Sequence, residues 1–194
     1  IALLFGDDRY NHAIIPEQQR YSSAGQLRPH VVELERQTLL GYAWNKVYNL
    51  EYLRTLGAQF ETVKLIEDIA FNVAAFQDLE SLNVLASAPY HYARRLRDNL
   101  TNKFIPDYYE LHHRRMSMLA QQQRSWHTLD DATRATLGSL LARYVLSALE
   151  RNCDPQAHMN HAQRKVWIEQ AFRDELYNEL IPHAQAQNSR ALAI

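Results

Sequence analysis

The spacing of hydrophobic and polar residues changes near residue 105. Residues 1–5, Ile-Ala-Leu-Leu-Phe, form a short apolar run typical of a buried strand, and short strands and helices are expected to alternate after it. From Pro106 onward the apolar residues recur at helical spacing. The pattern therefore predicts an α/β part over residues 1–105, followed by a mainly α-helical extension over residues 106–194.

The first part is expected to contain three helices between its strands. Gly57 follows one of them, because glycine readily adopts the positive φ found just after a helix. Glu67 and Asp68 open another, since they precede a run of apolar residues. The predicted elements are a loop over 16–29, helices over 31–47, over 50–56 and from 67, and strands over 58–64, 82–85 and 90–94.

The second part is expected to contain three helices. The first begins near Pro106, and the second begins at a capping-box-like pair, Thr128 and Asp131, and ends before Pro155. The third carries a narrow apolar stripe that ends at Pro182. The residues of this stripe are Ile168, Phe172, Leu176 and Leu180.

Composition and charge limit the classes of protein to which this chain can belong. Hydrophobic residues make up 46% of the 194 residues, which is enough to bury a core. The formal net charge of −1 gives no field that attracts a polyanion, so nucleic acid is not an expected partner. Cys153 is the only cysteine, which fits a reducing, cytoplasmic setting. No apolar run approaches the roughly 20 residues of a membrane-spanning helix, while contact with the inner face of the membrane stays open.

Glycine-rich phosphate loops are absent from the sequence. The chain has five glycines, and none belongs to a G-x-G-x-x-G or a P-loop pattern. Dehydrogenases of the Rossmann type and P-loop kinases are therefore disfavoured.

Three short segments follow one another in the first part. They are Ala-Trp-Asn-Lys-Val-Tyr at 43–48, Leu-Ile-Glu-Asp-Ile-Ala-Phe-Asn at 65–72 and Pro-Tyr-His-Tyr-Ala-Arg-Arg-Leu-Arg-Asp-Asn-Leu-Thr at 89–101. In this order and spacing they resemble the second half of inverting family-2-type glycosyltransferases. In that family a W-N-K-L-Y segment precedes an E-D-x-x-F-N helix and a Y-x-Y-x-R segment. The resemblance covers about residues 1–110 and does not reach the C-terminal helices.

The resemblance implies that residues 1–105 are the acceptor-side part of a GT-A-like catalytic domain with a mixed sheet and helices. It implies inverting transfer from a nucleotide-diphosphate sugar to a glycan or lipid-linked acceptor, in the synthesis of a cell-surface polysaccharide. It also implies a divalent metal, Mn²⁺ or Mg²⁺, held in the intact enzyme by ligands mostly outside this chain.

The family's Asp-x-Asp-like metal cluster is absent from the sequence, and Asp7 and Asp8 are interpreted as a turn. The apolar run at residue 1 also has no lead-in. We therefore expect that the N-terminal, nucleotide-binding half of the domain is missing and that this chain alone is inactive.

The catalytic base that inverting transfer requires is assigned to Asp68. A carboxylate must take the proton from an acceptor hydroxyl as its oxygen attacks the sugar. The partial positive charge of a helix N-terminus favours the ionised form of such a carboxylate. Glu67 is expected to orient Asp68 or to bind an acceptor hydroxyl.

The other predicted site residues lie in the first and third segments. Trp44, Asn45 and Lys46 are expected to bind the acceptor, through an indole face and through amide and amine groups. The donor diphosphate is expected to meet guanidinium groups, which match phosphate oxygens in bidentate geometry. The candidates for this contact are Arg94, Arg95, Arg97 and His91.

Simpler interpretations of these residues stay open. Carboxylates are common in the first turn of any helix, because they satisfy its free N–H groups. Trp44 is equally compatible with a core position. A basic strand edge also discourages unwanted strand pairing, without any ligand.

Two other functions are compatible with the sequence. The amphipathic helices after Pro106 suit a noncatalytic interaction or regulatory module, and they could also form a homo-oligomer. Glu110 and His113 have the Glu-x-x-His spacing of helical di-metal oxidases, although such a site needs a second motif of this kind and further glutamates.

Overall fold

The chain divides into two units, Ile1–Lys103 and Phe104–Ile194. The computed structural model describes residues 3–6, 11–63, 65–93 and 104–185. Over these ranges the first unit mixes strands with helices, and the second contains helices and no strand. The predicted succession of an α/β part and a helical part is thus confirmed at this level. The assignment of the first unit to a GT-A-like domain stays a prediction.

Five short strands form two sheets in the described part of the first unit. The larger sheet has the order β2-β1-β5, in which β1 is antiparallel to β2 and parallel to β5. The smaller sheet pairs β3 with β4 in antiparallel register. The strands are β1 (Leu3–Gly6), β2 (Asn11–Ile14), β3 (Gln19–Tyr21), β4 (Leu82–Val84) and β5 (Tyr90–Ala93).

Four α-helices accompany these sheets in the described residues. They are α1 (Ala24–Leu27), α2 (Val31–Arg36), α3 (Leu50–Leu56) and α4 (Glu67–Phe76). Apolar side chains of α1, α2 and α4 supply most of the buried core of this unit, whereas α3 has no buried residue. The core residues include Leu27, Val31, Val32, Leu34, Ile69, Phe71 and Phe76, joined by Leu39, Leu40, Ile66 and Val84 from connecting segments and β4.

Elements that are specified by neighbouring residues agree with the sequence prediction. Helix α3 has the predicted bounds, begins at the capping side chain of Asn49 and ends at Gly57 with a φ of 66°. Helix α4 begins at Glu67 as predicted. In both cases the residues at the helix end supply the signal themselves.

The predicted helix over 31–47 is too long. Helix α2 ends at Arg36, and Thr38 adopts a φ of 62°, which breaks the helical path. The following residues turn back instead, and their carbonyl groups become hydrogen-bond acceptors for side chains farther along the chain.

Two further predictions in the first unit are wrong. Residues 58–63 form no strand, because β4 pairs with β3 instead. The segment 16–29 is not a simple loop, since it contains β3, helix α1 capped by Ser23, and the start of a 3₁₀ turn.

The second unit contains four α-helices in its described range. They are α5 (Tyr108–Ser125), α6 (Asp131–Asn152), α7 (His161–Arg173) and α8 (Glu175–Leu180). Asp130, rather than Thr128, caps α6 by accepting a hydrogen bond from the Thr133 backbone N–H. The predicted third helix is interrupted at Asp174, whose extended backbone ends α7 and whose side chain caps α8. None of the helices in the described ranges is long and apolar enough to cross a membrane.

Helix α6 approaches the end of α8 most closely at Gly138. A Cβ atom at this position would lie 2.2 Å from the carbonyl oxygen of Leu180 and 3.2 Å from the backbone nitrogen of Ala184. Real Cβ atoms do not approach a backbone oxygen so closely, so any larger residue must push the two segments apart. Gly138 therefore sets the distance between α6 and the turn after α8.

We predict that Gly138→Ala destabilises the second unit by about 2 kcal/mol, because overpacking at a backbone contact is costly. Urea unfolding of the full chain, followed by circular dichroism, measures the effect. Gly25→Ala is the matched control, since a Cβ atom there meets nothing within 4 Å. Equal stability of the two variants would contradict the close approach.

Candidate functional site

The ammonium group of Lys46 organises the segment that precedes it. Its Nζ donates to the carbonyl oxygens of Leu39 at 2.7 Å, Leu40 at 2.9 Å and Tyr42 at 2.5 Å. The Oδ1 atom of Asn45 lies 2.8 Å from the same Nζ. The turn that replaces the predicted end of the helix is thus held by one side chain.

Burial lowers the pKa of Lys46 to about 7, from its usual value near 10.5. The negative charges of Glu35 and Asp68 oppose this shift, because they favour the charged ammonium. Lys46 therefore lies within electrostatic reach of Asp68, which connects the first resemblance segment with the second.

A hydrogen bond makes the same connection. The hydroxyl of Tyr48 donates to Oδ1 of Asn72 at 2.5 Å, and Nδ2 of Asn72 donates to the carbonyl oxygen of Leu40 at 2.7 Å. Asn72 is completely buried. Leu40 therefore accepts from both Lys46 and Asn72, so that residues 43–48 and α4 are held to one turn. Burial, with the charge of Asp68 as a second cause, raises the pKa of Tyr48.

Asp68 and Glu67 occupy the first turn of α4 and are both half-buried. No side chain caps this helix, since Ile66 occupies the N-cap position. The preceding residue, Leu65, has a φ of 71°, a conformation that costs a non-glycine residue about 1–2 kcal/mol. The Oε2 atom of Glu67 is buried, and no group in the described part of the chain hydrogen-bonds it.

Trp44 connects the first segment with the third. Its ring lies 4.8 Å from the ring of Tyr42 and 4.3 Å from the ring of Tyr90, measured between centroids. The indole is half-buried, so it belongs to an aromatic cluster that still has an accessible side.

The predicted acceptor residues Asn45 and Lys46 hold the backbone in this structure. Asn45 is 7% exposed, and its Nδ2 donates to the carbonyl oxygen of Leu39 at 3.3 Å. Both residues also line the cavity described below. Their role toward an acceptor stays a prediction.

The predicted donor contacts lie at the edge of what the structure describes. His91 belongs to β5, where its backbone is paired with Leu4, and its side chain is outside the described part. Arg94, Arg95 and Arg97, like Asp7 and Asp8, lie outside the described residues.

A cavity of about 770 Å³ opens beside the first segment. Lys46 and Tyr48 line it and also interact with Asp68, whereas Asp68 does not line it. The remaining lining residues come from the first segment, from α3 and its capping residue, from the end of α4 and from the segment through β4. They are Asn45, Val47, Asn49, Tyr52, Ala75, Phe76, Asp78, Leu79, Glu80, Ser81, Leu82, Asn83, Leu85 and Pro89.

Apart from Asn45 and Lys46, sequence reasoning did not single out the cavity residues. A signal was present in the polar run Asp78–Ser81, which lies between an apolar helix and a strand and reads as an ordinary connection. Tyr48 and Asn72 belong to the quoted segments, yet their contact joins residues 24 apart in the sequence. Such a contact has no local signature.

Metal ligands are not gathered in the described residues, where no group of three or more His, Cys, Asp or Glu side chains is placed to hold an ion. The described residues therefore provide no further ligands for the di-metal site considered at Glu110 and His113. Glu110 is exposed, and Nε2 of His113 lies 2.9 Å from Oδ1 of Asp174, which joins α5 to the start of α8.

The lowered pKa of Lys46 predicts a pH dependence of stability. Between about pH 7.5 and about 9.5 the unfolded chain holds a proton on Lys46 that the folded chain has largely lost. The free energy of unfolding of the first unit should therefore rise with pH in this window. Urea denaturation followed at the indole NMR signal of Trp44 measures it.

Lys46→Met should remove this rise and should lower the stability of the first unit by about 3 kcal/mol, because three carbonyl groups lose a donor. Lys165→Met is the matched control, since Lys165 is exposed on α7. A Lys46→Met protein with unchanged stability and an unchanged pH profile would contradict the role of this ammonium group.

Comparison with protein-family models, with curated proteins and with solved structures finds no match for this chain. Its function is therefore inferred from the three segments and from the contacts between them.

Proposed function

We propose that the first unit is the acceptor-side part of an inverting, GT-A-type glycosyltransferase that uses a nucleotide-diphosphate sugar. The acceptor in this proposal is a glycan or a lipid-linked glycan of a cell-surface polysaccharide. Sugar transfer would take place in the cytoplasm or at the inner face of the membrane.

One observation carries the proposal: the three segments that resemble the family are held together by direct interactions. Tyr48 bonds Asn72, Lys46 is within electrostatic reach of Asp68, and Trp44 contacts the ring of Tyr90. The first segment thus contacts both the second and the third, which supports interpreting the three segments as parts of one site.

The proposed chemistry is proton transfer to Asp68. As the acceptor hydroxyl oxygen forms a bond to the anomeric carbon, its proton passes to the Asp68 carboxylate, and the bond from that carbon to the diphosphate breaks on the opposite face. The N–H groups of the uncapped first turn of α4 favour the negative charge of Asp68 before the transfer. Asp68 is half-buried, so it is accessible in part.

The backbone at Leu65 supports a functional placement of α4. A leucine persists at a φ of 71° only where the surrounding contacts over-determine it, and strained residues of this kind cluster at functional sites. Ile66 and Ile69, which are 0% and 1% exposed, anchor the helix start just after the strained residue. Their burial fixes the direction in which Glu67 and Asp68 enter the site.

The metal ligands are assigned mostly to sequence outside this chain, whereas the contacts to the donor diphosphate are assigned to the third segment. The expected metal, Mn²⁺ or Mg²⁺, requires a carboxylate cluster of the Asp-x-Asp type, which the sequence lacks. Arg94, Arg95, Arg97 and His91 remain the proposed contacts to the diphosphate. A metal would neutralise charge on the departing diphosphate, and the residues described here would handle the acceptor proton.

A second candidate function concerns the helical unit. Val166 and Phe172 on α7 are 52% and 48% exposed, which leaves apolar surface on a helix of a unit that contains no described catalytic group. An interaction or regulatory module, including contact with a second copy of the chain, fits this surface.

We predict that Asp68→Asn lowers sugar transfer by about 1,000-fold, because the amide cannot accept the proton. The assay follows radiolabelled sugar from a panel of nucleotide-diphosphate sugars, with Mn²⁺ or Mg²⁺, into lipid-linked and polysaccharide fractions. It uses the enzyme in which residues 1–194 accompany a nucleotide-binding half.

Asp131→Asn is the matched control, since Asp131 is an exposed first-turn aspartate of α6. Donor binding should survive in both variants. Full transfer by a folded Asp68→Asn enzyme would remove Asp68 from the role of base, and the absence of transfer from every donor by the unaltered enzyme would refute the proposed activity.

A further inference from the structure

The cavity beside Lys46 has the size of a ligand site. Its volume of about 770 Å³ lies within the range of about 300–1,000 Å³ found for small-molecule sites. Apolar side chains are exposed at its lining, where Val47 is fully exposed and Leu85 is 51% exposed. Aromatic rings of Tyr48, Tyr52 and Phe76 add flat apolar surface.

One stretch of the lining carries polar side chains that are available to a ligand. Asp78, Glu80, Ser81 and Asn83 are exposed, and their side chains form no hydrogen bond or ion pair with another described residue. Together they offer strong acceptors from two carboxylates and donors from a hydroxyl and an amide. These groups lie on one stretch of chain between α4 and the end of β4.

The charge of the described lining favours a ligand without phosphate groups. Lys46 is the only Lys or Arg among the described lining residues, and its ammonium group is already surrounded by the carbonyl oxygens of the turn. At these residues a phosphate would meet the carboxylates of Asp78 and Glu80 without an available cation.

We propose that this cavity binds an uncharged saccharide. Sugar hydroxyls donate to carboxylates and exchange hydrogen bonds with amides and hydroxyls, and the C–H faces of sugar rings pack on aromatic and apolar side chains. A purely apolar ligand would leave the carboxylates without partners, and an anion would be repelled by them.

The cavity and the proposed base share two neighbours. Lys46 and Tyr48 line the cavity, and the charge of Asp68 influences the pKa of both residues, so a saccharide in the cavity would contact side chains within electrostatic reach of the base. Naming this saccharide as part of the acceptor rests on the proposed function. Its binding requires no donor and no metal, so the two proposals can fail separately.

The test is an NMR titration of the ¹⁵N-labelled 194-residue chain with three neutral disaccharides: N,N′-diacetylchitobiose, cellobiose and maltose. At least one should give saturable shifts at the backbone amides of Tyr52, Ser81 and Asn83. Uridine diphosphate, added without metal, should leave these amides unshifted. The absence of shifts with all three disaccharides, or saturable shifts with uridine diphosphate, overturns the proposal.

Two variants locate the bound saccharide. Ser81→Trp fills the cavity from an exposed, non-helical position, and the double variant Asp78→Asn/Glu80→Gln removes the charged acceptors. Each should weaken binding by about tenfold or more. Glu51→Gln is the matched control, because Glu51 is an exposed first-turn acid of α3 outside the lining. Unchanged affinity in a folded Ser81→Trp chain would also overturn the proposal.

Discussion

The first unit depends on a half-buried lysine, Lys46, whose ammonium group donates hydrogen bonds to carbonyl groups beyond the end of helix α2. After α2 ends at Arg36, the chain leaves several carbonyl groups without helical partners, and such groups are costly when they are buried. The ammonium group of Lys46 collects three of them, and Asn72 adds a second donor to one of the three. Because this arrangement uses Asn72 of α4, the turn and the helix stabilise each other.

The candidate site follows from that arrangement. Burial disfavours the charged form of Lys46, and the negative charges of Glu35 and, to a smaller extent, Asp68 partly compensate this effect on its pKa. Tyr48, two residues farther on, bonds α4 and lines the cavity. Lys46 and Tyr48, which stabilise the turn, thus also line the cavity and lie within electrostatic reach of Asp68, the proposed base. The same residues can have a structural and a functional role, since a rigid site positions a reacting group better than a mobile one does.

Local signals explain which parts of this structure could be predicted from the sequence. The capping side chain of Asn49, the left-handed Gly57 and the acidic first turn of α4 each act over a few residues, and the elements they specify were predicted correctly. The end of α2 was not, because the apolar pattern continues through Leu39 and Leu40 while the interaction that redirects the chain comes from Lys46.

The small sheet and the cavity show the same limit at longer range. Strand β3 forms because β4, more than 60 residues farther along the chain, pairs with it. The sequence of segment 16–29 contains no local signal for that pairing. For the site, the sequence supplied the segments and the carboxylates, but it could not supply the Tyr48–Asn72 contact or the cavity wall from Asp78 to Asn83. Those features arise only when separate elements meet.

The adjacency of Lys46 and Asp68 is most directly tested by titrating Lys46 in the chain by ¹³C,¹⁵N NMR, with and without the Asp68→Asn substitution. The account predicts that Lys46 titrates with a pKa of about 7 in the unaltered chain, and that the pKa falls further in the variant because a compensating negative charge is gone. An ordinary lysine titration near 10.5, or the same Lys46 pKa in both proteins, would contradict the convergence of the segments on which the proposed function depends.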